Sequence, residues 1–151
     1  MSPWQWWTTI AGTILVVGGV AWILKLWVIV ATDGRVVATG AAGAFFDLGF
    51  YSLLVGSTGL GVRLTMNQEP AMRGVAAVGS PVVFILSFAL FSGIGYAILA
   101  VGGAFAGISL PSYLLEEAGI FTSAVVWLII GVILLLGSVR KPHMTVTIHG
   151  E

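Results

Sequence analysis

Few groups in this chain can do chemistry, and those that can lie in unexpected places. Asp47 is the one charge in "GAAGAFFDLGFYSLLVG", positions 40–56. An isolated carboxylate in such a run serves one of three ends: a hydrogen bond between helices, an ion or proton path, or contact with a partner. Tyr51 follows at i+4, on the same helical face, where its hydroxyl can reach the carboxyl. Lys25, inside "WILKLWV", is the second anomaly. It either snorkels past Trp27 to the headgroups or stretches toward Asp47. With Asp47 roughly 16 Å and Lys25 roughly 8–9 Å from the same membrane face, that second option is strained.

The absences narrow the chemistry further. There is no cysteine, and both histidines, His143 and His149, lie beyond the last long apolar run. No thiolate or intramembrane imidazole is therefore offered to a metal or a haem. Paired carboxylates, a nucleophile with its base, and a phosphate-cradling loop are missing too. "GSTGLG" (56–61) resembles a glycine-rich loop, but within an apolar helix it reads as packing. Tyr113, Glu116 and Glu117 are too sparse a set for an enzyme acting on lipid; the two glutamates instead mark a membrane interface. We expect no catalytic residues, no metal and no cofactor.

Whatever positions these residues must do so in lipid. The 151 residues are 58% hydrophobic and 8% charged, with a mean hydropathy of +1.08. Soluble domains carry about 25% charged residues. A formal net charge of zero gives no field that would recruit nucleic acid. Four runs reach the roughly 20 residues needed to cross a hydrocarbon core: about 8–30, 37–62, 81–106 and 119–139. The expected fold is an all-α membrane protein, a four-transmembrane-helix bundle with short loops, forming a single integral domain.

The joints follow from local chemistry. "TDGR" (32–35) is a tight turn, and "RLTMNQEPAMRG" (63–74) is a polar loop. Ser80 and Pro81 suit the start of the third helix, and Pro111 prevents a continuous helix before the fourth. Trp4, Trp6 and Trp7 form an interfacial belt ahead of the first span. No Lys or Arg precedes Lys25, so the first span reads as a retained helix and not a signal peptide. The tail, 140–151, alternates Met144, Val146 and Ile148 with polar residues, a strand-like pattern with nothing evident to pair with.

Lys and Arg counts set the orientation. Arg63, Arg73, Arg140 and Lys141 share a side with both termini, which predicts cytoplasmic termini. Small residues set the packing: Gly40, Gly43, Gly49, Gly56, Gly103, Gly107 and Gly131 are expected where helices approach closely. Gly40, Gly43 and Ala44 flank Asp47, which predicts that this face points into the bundle. Glycine faces on the second and fourth spans, together with mid-span Trp127, suggest contacts beyond one chain. The function expected is a non-catalytic accessory or scaffolding subunit of a larger membrane complex. The alternative is a small homo-oligomeric channel or transporter using Asp47. Partners are then the lipid bilayer and other membrane subunits.

Overall fold

The computed structural model describes residues 3–139, so the strand-like tail, Arg140, Lys141 and both histidines lie outside the described residues. Four helices follow one another: α1 (Pro3–Ala31), α2 (Gly40–Leu64), α3 (Pro70–Ala106) and α4 (Ser112–Val139). All four are long and apolar enough to cross a membrane, and among the described residues there is no strand. The chain is an integral, multi-pass, all-α bundle. Helix α1 packs on α2 and α4, and α3 closes the ring against the same two.

Three helices start earlier than hydropathy alone predicts: α1 already at Pro3, then α3 and α4. Glu69 is the N-cap of α3 and Pro70 its first residue, so 70–80 is helix and not loop. A proline fits there because the first turn's N–H groups have no intrahelical acceptor. Pro81 therefore lies inside α3, where Ser80 Oγ donates to Ala76 O at 2.5 Å. Likewise α4 starts directly after Pro111, whose carbonyl accepts the Leu114 N–H at 3.0 Å. Glu116 and Glu117 thus belong to its second turn.

Two ends close with the same device. At α1, Gly34 N–H reaches Ile29 O (2.9 Å) and Asp33 N–H reaches Val30 O (3.1 Å), with Asp33 at φ 52°. Asp is among the few non-glycine residues that tolerate this left-handed geometry. At α3, Ile108 N–H reaches Gly103 O (2.9 Å) and Gly107 sits at φ 67°. Gly107 is thus a C-terminal cap with open space around its Cα, not a helix contact. Gly103 lies under Ile108 and Leu110 of the same turn. Gly40, at φ 58°, also faces open space, and Gly43 abuts the Ala38 carbonyl. For these four glycines the expected helix packing is corrected: each serves a turn, because each sits within a few residues of a helix end.

The remaining three do bring helices together. Gly49 lies against the Trp22 indole, Gly56 against Leu15, and Gly131 against Gly12 and Val16 of α1. All are contacts within the chain, so Gly49 and Gly131 do not mark a face for another subunit. Trp22, Phe84, Leu15 and Leu53 are fully buried, and Trp22 Nε1 donates to Phe46 O at 3.0 Å. Trp127 is 5% exposed and meets Phe84 edge-on at 5.5 Å, so it too is core.

A buried ion pair beside a lateral cavity

Lys25 neither snorkels nor reaches Asp47. Its ammonium donates to Glu117 Oε1 at 2.6 Å, and the two side chains are only 5% and 4% exposed. The pair bridges α1 and α4. Lys25 stands six residues before Ala31, and Glu117 five after Ser112. At 1.5 Å per residue those depths agree to within about 2 Å. The ring of Phe46 lies 5.1 Å from the ammonium, adding a cation–π contact from α2.

Glu117 corrects the expectation that both glutamates sit at an interface. Glu116 is exposed, while Glu117 is buried with Oε2 unpartnered. Helical rotation of about 100° per residue separates the neighbours. The depth match was a signal in the sequence. It is hidden when the fourth span is started near Gly119, where hydropathy rises, instead of at Ser112.

Asp47 is exposed, on the outside of the bundle. It makes no hydrogen bond or ion pair within the described residues, and Tyr51, 63% exposed, does not hold it. The cause is Trp22. Its indole accepts only a glycine opposite, so Gly49 faces inward, with Ala42, Leu53 and Gly56 along the same side. Two residues amount to about 200° of rotation, which turns Asp47 outward. Asp47 is also shallower than expected, because α2 starts at Gly40 and not at Val37. A helix of 25 residues spans about 38 Å against a core of about 30 Å, which leaves Asp47 roughly 6 Å inside the hydrocarbon edge.

Asp47 and Lys25 share the wall of a cavity of about 200 Å³, with Val37, Ala38, Gly43 and Phe46. Exposed Asp47 and buried Lys25 thus stand on one cavity. At the same end of the bundle, Tyr113 OH donates to Asp33 Oδ1 at 3.3 Å, tying the α1–α2 turn to the start of α4. Gly34 leaves room for that ring.

The opposite end is held differently. Arg63 Nε donates to Thr8 Oγ1 at 2.8 Å, and Thr8 Oγ1 donates in turn to Trp4 O at 2.7 Å. Trp7 Nε1 donates to Gly59 O at 3.3 Å, and Trp4, Trp6 and Trp7 all remain exposed. Among the described residues, no three Asp, Glu, His or Cys side chains gather to hold a metal ion. The site sets one exposed carboxylate, Asp47, beside a buried ion pair. Comparison with protein families, with curated proteins and with solved structures finds no match to this chain.

Proposed function

We propose that this protein is a non-catalytic accessory subunit that docks on another membrane protein through the exposed side of α2. One observation carries the reading: Asp47 stands exposed and unpartnered on a helix long and apolar enough to cross a membrane. A lipid-facing carboxylate costs up to about 3 kcal/mol on insertion scales, and a docked helix removes that cost. Gly40, Ala41 and Ala44 are exposed just above Asp47 on α2. Such small residues let a second backbone come close. The apolar part of the face continues through Leu48, Tyr51 and Val55, all exposed.

Native mass of the assembly extracted from its own membrane tests this. Wild type is expected to carry stoichiometric additional subunits, and Asp47→Leu to lose them while keeping its helicity. A wild type that leaves the membrane as a lone chain sinks the accessory reading. The cavity shared by Lys25 and Asp47 favours a second reading, a homo-oligomeric channel. A current from the pure chain in liposomes, abolished by Asp47→Asn, would put that reading in place of the first.

The basic-residue bias supports cytoplasmic termini. Because the chain has no cysteine, single cysteines report cleanly. Thr39→Cys is expected to react with an impermeant reagent applied to intact cells, and Ser2→Cys to be protected. The reverse pattern inverts the orientation.

A further inference from the structure

The polar groups at this end of the bundle are out of charge balance. Lys25 and Glu117 compensate one another at 2.6 Å, while Asp47 on the same cavity has no counter-charge among the described residues. The three groups together carry a formal charge of −1. In a low-dielectric setting an uncompensated carboxylate is held only when a cation or proton neutralises it. The geometry therefore assigns an occupant: we propose that the segment docking on α2 is a transmembrane helix whose Lys or Arg side chain enters the cavity and pairs with Asp47. This rests on the docking reading above and names what the partner must carry.

Three features favour a helix-borne cation over a free ion. The cavity of about 200 Å³ has room for several waters' share of about 30 Å³ each, enough for an amino group with its last methylenes. Gly40, Ala41 and Ala44, exposed on α2 just before Asp47, give a second backbone close access. The apolar continuation through Leu48 and Val55 is a surface for the rest of a helix. Asp47 also sets the register: roughly 6 Å inside the hydrocarbon edge, or about four residues along the partner's span. Lys25 does not compete for Asp47, since Glu117 already holds it.

The test uses purified full-length protein in phosphatidylcholine vesicles, labelled at Ser2→Cys. The probes are synthetic Leu/Ala helices of about 20 residues bearing Lys, Leu or Glu at the fourth residue of the span. Energy transfer reads association. The Lys helix is expected to associate about tenfold more tightly than the Leu helix, the order of one interhelical polar contact, with Glu weakest. Asp47→Asn should bring the Lys helix down to the Leu level. Ala38→Trp, which fills the cavity and leaves the charge alone, should do the same. Equal binding of Lys and Leu helices, no binding by any probe, or a Lys preference that survives Asp47→Asn overturns the proposal. Native mass separates the two ideas: additional subunits without Lys discrimination sink the cation and keep the docking, whereas a lone chain sinks the docking itself.

Discussion

Lys25→Met is expected to destabilise the bundle by about 3–5 kcal/mol, because it leaves the Glu117 carboxylate buried without a counter-charge. Glu117→Leu should cost a similar amount by stranding the ammonium between α1 and α4. The pair buries two charges, and its attraction does little more than offset their desolvation. Replacing both at once, as Lys25→Met with Glu117→Leu, should therefore recover most of the wild-type stability. Unfolding by increasing SDS fraction, followed by far-UV circular dichroism, gives all four corners of the cycle. The coupling between the two sites is the diagnostic quantity. Single variants as stable as wild type, or a double variant as weak as the two losses combined, would show that the pair does not act as a unit. Neither side chain lies on the exposed face of α2, so association through that face should persist in the double variant once it folds.

How much of this was legible differs by level. Helix count and class follow from length and hydropathy, since an apolar run of 20 residues has few other fates. The helix starts were less visible, because hydropathy marks the lipid and not the helix. Pro70 and Ser112 lie outside the apolar windows, yet Pro70 is a good first residue by its backbone chemistry and Pro111 stands directly before the start at Ser112. That misplacement carried over to the site, by putting Glu117 outside the fourth span and so out of reach of Lys25. Asp47 failed for another reason. Glycine neighbours signal close approach but not which element approaches, and here they leave a face open. The inward face of α2 is chosen by Trp22, a residue on another helix. The α1–α4 seam had a readable signature. Gly12 and Gly19 are seven apart, matched in antiparallel order by Gly131, Ala124 and then Glu117, each also seven apart. A search for glycines four apart passes over a seven-residue repeat, although that is the natural period of two helices crossing at a shallow angle.

That seam makes Gly131 sensitive to any added side chain. A Cβ built there would stand 2.9 Å from Val16 N and 3.0 Å from Gly12 O, both backbone atoms of α1. A side-chain neighbour could swing aside; a backbone atom moves only if the helix moves. Gly131→Ala is expected to cost about 1–3 kcal/mol as overpacking, and Gly131→Leu to reach the top of that range or pass it. Gly137 is the internal control, in the same helix with nothing within 4 Å of its Cβ position. Gly137→Ala should be neutral or should stabilise by up to about 1 kcal/mol through helix propensity alone. The two variants share chemistry and helix, so their difference isolates the crossing. A second effect follows from the geometry. Prying α1 from α4 lengthens the 2.6 Å Lys25–Glu117 contact at the other end of the seam, so Gly131→Leu and Lys25→Met should be less than additive. Full additivity, or equal losses at Gly131 and Gly137, would mean that the seam does not hold the ion pair in place.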